Sequence, residues 1–386
     1  MDWTKLAVRR ALGRVARAAA LGGLLALGAC APASQPAAPQ PAPPAAPSAP
    51  AAAAPATAPT SGPSASAGAA PVTVQVALQG AASDAGVFVG MEAGYYREVG
   101  IEVEPVIVRQ LPDMLPMLFS GQVQAAGVGI NGGTLNAAGR QAGFKLVADK
   151  GSTTPGHGFL AWVVRKDLVD SGRFRTDADL RGLTFAMTPP LEATQSMVAF
   201  QRLLASQNLR LEDVELKPLP FGDMPAAYAG GAIDSSFLLE PLVSAGERNG
   251  VLVRWRGVDE IYPNLPLGLI AYGTRFAESQ PDIARAFMVA YVRSVRLYLD
   301  AMDHGRNRDT VIAALTRNTD VKDPAVYDRM VPAGLDPDGR IAADALAASI
   351  EYYRNAGALT EPVDVATAVD NRWVDYAREQ LGPYQP

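Results

Sequence analysis

Residues 31–71 contain 12 prolines and 18 alanines, and no lysine, arginine, aspartate or glutamate. A tract of this composition lacks the large apolar side chains that a core requires, and its prolines favour an extended polyproline conformation. At about 3.1 Å per residue, its reach is at most roughly 125 Å. We therefore interpret residues 30–71 as a semi-rigid stalk, with attachment to a cell surface as the alternative. The folded part is expected within residues 72–386.

Residues 1–29 combine a basic start with an apolar stretch. From Ala18 to Ala29 every side chain is apolar or small, which suits a signal peptide and is too short for a membrane-spanning helix. The stretch ends in Leu27-Gly28-Ala29-Cys30, which resembles the lipobox of bacterial lipoproteins. The resemblance implies cleavage before Cys30 and lipidation of its thiol, and a buried free cysteine is the alternative. The Arg9-Arg10 pair leaves twin-arginine export open.

Cys30 is the only cysteine in the sequence. A mature chain that begins there has no intramolecular disulfide, no cysteine-based metal site and no catalytic thiol. Loss of residues 1–29 would remove five basic residues and Asp2, which changes the net charge from −5 to about −9. An acidic surface argues against nucleic acid and anionic lipid as partners. We expect an exported protein that touches the bacterial cell membrane only through its lipid and faces the periplasm or the exterior.

Strand and helix patterns alternate after Pro71. Val72–Leu78 has the period of two that is typical of a strand, and Val87, Phe88, Met91 and Tyr95 form one face of a helix. Further strands are expected at 101–108, 125–130, 160–164, 183–187, 214–216, 233–238 and 265–272, and helices at 111–120, 193–206, 223–229, 283–302 and 365–376. This order predicts an α/β protein with mostly parallel, doubly wound sheets.

Four segments carry a resemblance to a known family. They are Gly86–Val103, Leu118–Ala126, Asp179–Leu183 and Gly230–Asp234, the last leading to Glu240-Pro241. These segments resemble the periplasmic substrate-binding proteins of the nitrate/sulfonate/taurine type, whose relatives also bind thiamine pyrimidine precursors. The likeness covers most of residues 72–300. Relatives that synthesise the thiamine pyrimidine use a cysteine-rich motif, and its absence here argues against that chemistry.

The resemblance implies a bilobed, type II periplasmic-binding-protein fold with a two-strand hinge. We expect the first lobe at 72–165, the second at 166–260, and a return to the first lobe with C-terminal helices at 261–386. The expected crossovers lie near 164–167 and 258–265. The implied function is capture of a small molecule by closure of the lobes, for an ABC permease and its ATPase. We expect a monomer without a cofactor.

Candidate ligand-binding residues lie where strands lead into helices. Ligands of open α/β sheets sit at the carboxyl ends of strands, and helix N-termini favour anions through unpaired N–H groups. Three such turns offer small, hydroxylated or glycine residues. The candidates are Ser83, Asp84, Asn131, Gly132, Thr134, Thr188, Glu192 and Thr194. Each of them also fits the role of an ordinary helix cap or turn residue.

Three further candidates are His157, Phe221 and Glu240. His157 lies between two glycines at the entry to a strand, where an exposed loop histidine is the alternative. Phe221 precedes a predicted helix and is equally suited to a core. A carboxylate from Glu192 or Glu240 would suit an amine or a heterocyclic N–H, which leaves the choice between an anionic and a heterocyclic ligand open.

Motifs of common enzyme classes are missing from the sequence. The chain has two histidines, and no H-E-x-x-H, P-loop or G-x-S-x-G motif lies between a strand and a helix. We therefore expect a substrate-binding lipoprotein that is not an enzyme and holds no metal. The alternatives are an enzyme on the same bilobed fold and a sensor or adhesin lipoprotein without a transporter.

Overall fold

The computed structural model describes residues 70–109, 113–191 and 194–386. The described strands are β1 Val72–Leu78, β2 Ile101–Ile107, β3 Ala125–Gly129, β4 Phe144–Ser152, β5 Leu160–Arg165, β6 Thr184–Met187, β7 Glu215–Pro218, β8 Ser235–Leu239, β9 Leu252–Gly257 and β10 Pro266–Gly273. The described α-helices are α1 Ala85–Glu92, α2 Tyr95–Glu98, α3 Met114–Ser120, α4 Gly132–Gly139, α5 Lys166–Asp170, α6 Gln195–Ser206, α7 Met224–Ala229, α8 Leu242–Arg248, α9 Val258–Ile261, α10 Thr274–Ser279, α11 Pro281–His304, α12 Arg308–Asn318, α13 Pro324–Tyr327, α14 Ala343–Asn355, α15 Val365–Ala368 and α16 Arg372–Leu381.

The strands form two five-stranded sheets, one in each lobe. Their orders are β2-β1-β3-β10-β4 and β7-β6-β8-β5-β9. In the first sheet β10 is antiparallel to both neighbours, and in the second sheet β5 is. The remaining strands of each sheet run in one direction, so the predicted α/β class with mostly parallel sheets is confirmed.

The two sheets have the same arrangement of strands. β1, β2, β3 and β4 of the first lobe occupy the places that β6, β7, β8 and β9 occupy in the second. The antiparallel strand in each lobe lies between the third and fourth of these. The turns after β1 and β3 therefore correspond to the turns after β6 and β8. These four turns lie at the carboxyl ends of their strands, where ligands of α/β sheets bind.

The first crossover between the lobes differs from the expected position. The expectation of a crossover near 164–167 is wrong, because β5 pairs with β8 and β9 and belongs to the second sheet. The chain leaves the first sheet after Ser152 and crosses within residues 153–159. It returns through 258–265. A later segment of the chain also contacts the first crossover. Gly334 forms an isolated backbone bridge to Ser152, and Ala333 forms one to Gly158.

Two strands, one helix boundary and several helices, among them α8, α12 and α14, were not predicted from the sequence. β4 and β9 lack a prediction, although β4 is buried along most of its length. The stripe expected to form one helix over 365–376 is divided between α15 and α16, because Val369 and Asp370 leave the helical conformation. Val369 instead forms a bridge to Leu146 of β4.

Each lobe has its own aromatic packing. In the first lobe, the long helix α11 packs on α1 and α16, and Phe287 lies 4.9 Å from the ring of Tyr96. In the second lobe, the ring of Phe185 lies 4.2 Å from Phe200 and 5.3 Å from Phe237. Each fully buried side chain of this size contributes about 1.5–3 kcal/mol relative to exposure. This packing supports the strands whose ends form the cleft.

Candidate ligand-binding cleft

The lobes meet where the turns after β3 and β6 face each other. Asn131, at the start of α4, forms an antiparallel backbone bridge with Thr194, at the start of α6. Both residues cap their helices: Asn131 Oδ1 accepts from Thr134 N at 2.9 Å, and Thr194 Oγ1 accepts from Met197 N at 3.2 Å. The N-termini of two helices from different lobes are therefore brought together at one side of the cleft.

Two adjoining cavities lie between the lobes, with volumes of about 110 and 70 Å³. Four residues line both of them: Gln79, Thr188, Phe221 and Leu239. Cavities of this size are small beside the roughly 300–1,000 Å³ of drug-sized ligand sites. Cavities of this volume suit a ligand of few non-hydrogen atoms.

Lys150 supplies positive charge to the smaller cavity. Its side chain is 3% exposed, and its Nζ lies 2.7 Å from Asp84 Oδ1 and donates to Ser83 Oγ at 3.0 Å. Among the described residues that line this cavity, Lys150 is the only charged one. An ammonium group has three N–H donors, so one remains for a ligand after these two contacts.

Gly127 of β3 makes room for the lysine. A Cβ atom at this position would lie 2.4 Å from Lys150 Cε, which is closer than real contacts allow. The absence of a side chain at this position of β3, which lies beyond β10 in the sheet, therefore permits Lys150 to run across the sheet toward the cavity. This glycine within a strand is the one signal in the sequence that points to the buried lysine.

Asp84 holds the turn after β1 rather than facing a ligand. Its Oδ2 accepts from Gln79 N at 3.1 Å and from Ala81 N at 3.0 Å, while Oδ1 pairs with Lys150. The carboxylate is buried and lines neither cavity. Its charge compensates the lysine, because a buried ion is stable only when paired and hydrogen-bonded.

Several predicted residues do line the cavities. Thr188 and Phe221 line both, Ser83, Asn131 and Thr194 line the smaller, and Glu240 lines the larger. The structure therefore brings together residues from all three predicted turns. Phe221 is half-buried and closes the side of the second lobe.

The side chain of Glu240 is occupied by protein donors. Its carboxylate accepts from Ser244 N at 3.0 Å, from Ser244 Oγ at 3.1 Å and from Val331 N at 3.3 Å, and it pairs with Arg254. Burial raises the pKa of Glu240, and the charge of Arg254 opposes this shift. These contacts join the second lobe to the segment after α13, so Glu240 has a structural role at the cleft.

Other predicted residues lie elsewhere. Gly132 and Thr134 are buried in the first turn of α4 and line neither cavity. His157 also lines neither cavity, and its Nε2 lies 3.2 Å from Asp303 Oδ1 on α11. Glu192 and Cys30 lie outside the described residues.

Further cleft residues were missed by the sequence reasoning. Gln195 and Ser196 follow the cap residue Thr194 and line the smaller cavity, as does Gln79 at the end of β1. Arg109 lies at the edge of the larger cavity, where its Nη1 is 3.2 Å from Asp320 Oδ2. The side chains of this pair are 63% and 60% exposed, so the pair marks the solvent side of the cleft. The helix-cap signal at Thr194 could have led to Gln195 and Ser196.

Two features are absent from the described residues: a cluster of metal ligands and a helix that could span a membrane. No group of three histidine, cysteine or acidic side chains there is arranged to hold a metal ion. None of the helices over these ranges has the length and apolar character needed to cross a bilayer.

Residues 82–304 match the family model described as NMT1/THI5 like. The chain belongs to the NMT1/THI5-like family. The matched range begins at the turn that holds Ser83 and Asp84 and ends at the last residue of α11, so both lobes are included. A search of curated protein sequences gives no significant match.

Solved structures show how widely this fold is used. The alkanesulfonate-binding protein SsuA from Xanthomonas axonopodis pv. citri, bound to MOPS, is 21% identical with a TM-score of 0.61, over 78% of this chain and 99% of that protein. The periplasmic nitrate-binding protein NrtA from Synechocystis PCC 6803 is 15% identical with a TM-score of 0.63, over 81% and 89%. The desulfurization enzyme DSZB is 16% identical with a TM-score of 0.55, over 80% and 99%. The NMT1/THI5-like chain thus has the bilobed binding-protein fold, which also occurs in an enzyme.

Proposed function

We propose that this protein captures a small polar molecule between its lobes and delivers it to an ABC permease and its ATPase. The observation that carries the proposal is the cavity that Lys150 shares with the start of α6. A buried ammonium and the free N–H groups of a helix N-terminus converge there, and both favour an acceptor or anionic group. The two binding proteins of similar fold are described as binding an alkanesulfonate and nitrate, which are anions.

The bridge between Asn131 and Thr194 corresponds to a closed arrangement of the lobes. The smaller cavity is lined by residues of both lobes, so separation of this bridge would widen the path into it. Ligand contacts to both lobes then stabilise the closed state relative to the open one. Closure of this kind makes the shape of the protein depend on its ligand, which a permease can recognise.

The test is a binding measurement on the purified full-length protein. Mass spectrometry would identify any molecule that co-purifies, and thermal shift would screen nitrate, sulfonates, carboxylates and pyrimidines. A ligand at 100 times its Kd stabilises a protein by about 2.7 kcal/mol. Small-angle scattering should show compaction on binding. If none of these probes shifts the melting temperature and nothing co-purifies, the proposal fails.

Export and anchoring form a separate part of the proposal. We propose that Cys30 is lipidated, that residues 31–71 act as a stalk, and that the folded part works as a monomer outside the cytoplasm. The sequence Leu27-Gly28-Ala29-Cys30 supports this placement. Cys30→Ser should leave unprocessed precursor or protein released from the membrane fraction. Normal membrane attachment of this variant would contradict lipidation.

An enzymatic function is the alternative, because the desulfurization enzyme DSZB has the same fold. The two functions differ in the fate of the bound molecule. A binding protein releases its ligand unchanged, whereas an enzyme releases a product. Incubation of each binding compound with the protein, followed by mass spectrometry, separates the two. We propose the binding function, so every compound should be recovered intact.

A further inference from the structure

Gln195 is a buried polar residue in the wall of the smaller cavity. It is the first residue of α6, it is 5% exposed, and it lines the cavity beside Ser196 and Thr194. Its side-chain amide has one acceptor oxygen and two N–H donors. The hydrogen-bond partners of these atoms therefore determine which donor or acceptor groups remain for a ligand at this wall.

Hydrogen bonds to α14 fix the orientation of the amide. Gln195 Nε2 donates to Ser349 Oγ at 3.4 Å, and Ser349 Oγ itself donates to Ala345 O at 3.0 Å. Because the hydroxyl hydrogen is used in the bond to Ala345, Ser349 Oγ acts as an acceptor toward Gln195. The nitrogen of the amide must therefore face Ser349, and the oxygen must lie on the other side.

Gln195 Oε1 is buried and accepts no hydrogen bond from the residues that the structure describes. A buried acceptor without a donor costs about 1–3 kcal/mol, so native proteins rarely leave one unpaired. Helix α14 also holds the first lobe, since Tyr353 OH donates to Ile130 O at 3.1 Å. The oxygen is thus kept in place by a helix that contacts both lobes.

We infer that Gln195 Oε1 accepts a hydrogen bond from the ligand, and that the ligand carries an N–H or O–H group besides the acceptor group that binds Lys150. The inference rests on the proposed binding function and narrows its ligand class. Lys150 Nζ has an N–H to spare for an acceptor, and the carboxylate of Asp84 that pairs with it lines neither cavity. The site therefore selects hydroxylated, amino or amide-bearing molecules over bare oxyanions. A ligand that lacks the donor leaves the oxygen unpaired, and such sites reject analogues of this kind strongly.

Two matched series of probes test the inference by equilibrium dialysis against the full-length protein. The first series is ethanesulfonate, isethionate and taurine, and the second is propionate, 3-hydroxypropionate and β-alanine. In each series the head group is constant, and only the first member lacks an N–H or O–H donor at pH 7. We expect the donor-bearing members to bind at least about tenfold more tightly than the first member.

Three variants assign the effect to the amide. Gln195→Met should remove the preference for donor-bearing probes, and Ser349→Ala should weaken it by letting the amide turn. Gln201→Met makes the same change on the exposed side of α6, where Gln201 Oε1 accepts from Tyr352 OH, and should keep the preference. Melting temperatures report whether each variant is folded. If Gln195→Met is not folded, the test depends on Ser349→Ala.

The outcomes separate the inference from the proposed function. Equal binding of donor-free and donor-bearing probes, or a preference that persists in both Gln195→Met and Ser349→Ala, would overturn the inference and leave the binding function standing. Retention of no probe of either series would contradict the inferred ligand class. If thermal shift with nitrate and pyrimidines is then also absent and no molecule co-purifies, the binding function fails as well.

Discussion

Asn131 and Thr194 begin helices of different lobes, and their backbones pair directly with each other. Each side-chain oxygen accepts a hydrogen bond from the backbone of its own helix, so a donor on a ligand would compete with this cap. What the pair leaves for a ligand is the unbonded N–H groups of the first helical turns, because the hydroxyl of Thr194 donates to Met187 Sδ at 3.8 Å. The cleft therefore presents N–H donors at this point, and the residues that support those donors can be tested one by one.

Thr194→Val keeps the shape of the side chain but removes the acceptor of Met197 N–H. We expect the free energy of unfolding to fall by about 1 kcal/mol, the typical cost of losing an N-cap. Thr194→Ser keeps the acceptor and should behave like the parent. Urea denaturation measures both, and equal midpoints for the Val and Ser variants would show that the cap contributes nothing.

Lys150→Met leaves the buried carboxylate of Asp84 without its cation. Removal of one member of a buried pair typically costs about 3–5 kcal/mol, because an uncompensated charge remains. We expect the double variant Lys150→Met/Asp84→Asn to recover much of this loss, since the amide oxygen introduced at position 84 would still accept from the backbone of the turn. Ligand binding should stay lost in both. Recovery of binding in the double variant would show that the ligand does not contact the ammonium.

Asp149 links β4 to the segment before α14, where its Oδ2 accepts from Asp336 N at 2.9 Å. Burial raises the pKa of Asp149 from an ordinary value of 3.8 to about 7, and the nearby charge of Asp336 adds to the shift. Between these two values the folded state holds a proton that the unfolded state has released. A rise in pH over this interval therefore lowers the free energy of unfolding.

The prediction is that Asp149→Asn gains stability relative to the parent as pH rises. The difference in melting temperature between variant and parent should be larger at pH 8 than at pH 5. Asp282→Asn changes a carboxylate whose side chain is 91% exposed and serves as the control. A difference for Asp149→Asn that is constant with pH would show that its carboxyl titrates normally.

Arg248 at the end of α8 pairs with Asp323 at 2.8 Å, which joins the second lobe to the segment that follows α12. Both side chains are about half exposed, so the pair should contribute under about 1 kcal/mol to unfolding. We expect Arg248→Gln to leave the melting temperature nearly unchanged and to speed ligand release, because opening no longer breaks this contact.

Arg285→Gln is the matched control for this change. Its pair with Asp282 has a similar distance of 2.9 Å but lies within one helix, so it does not join the lobes. Stopped-flow measurement of release should separate the two variants at low salt, and the difference should shrink at about 1 M salt, where the screening length is about 3 Å. Identical release rates at low salt would show that the pair does not hold the lobes.

The strands near the start of the fold could be predicted because their pattern is local. β1 has the predicted bounds, Val72–Leu78, since every second side chain there is apolar and the run ends at a glycine turn. β4 could not be predicted in this way, because Asp149 and Lys150 interrupt its apolar run. Both are buried only because partners distant in sequence, Asp336 and Asp84, meet them in the fold.

The candidate site likewise contains residues that local patterns predict and residues that they do not. Helix caps at Asn131 and Thr194 follow from short-range rules, and the sequence placed them at the cleft. Lys150 owes its position to a glycine two strands away in the sheet, and Gln195 owes its orientation to a hydroxyl on α14. Contacts of this range leave no periodic pattern, so single-sequence reasoning missed both residues.

The place of β10 in the first sheet also determines the order in which the molecule is completed. All strands of the second sheet lie within residues 160–257, whereas β10 must enter between β3 and β4 after that stretch has been synthesised. A nascent chain that ends before residue 266 can therefore finish its second lobe while β3 and β4 each keep an unpaired edge, the kind of edge that promotes association between chains. The lobe that is translated first thus cannot complete its sheet until the whole of the second sheet has been synthesised.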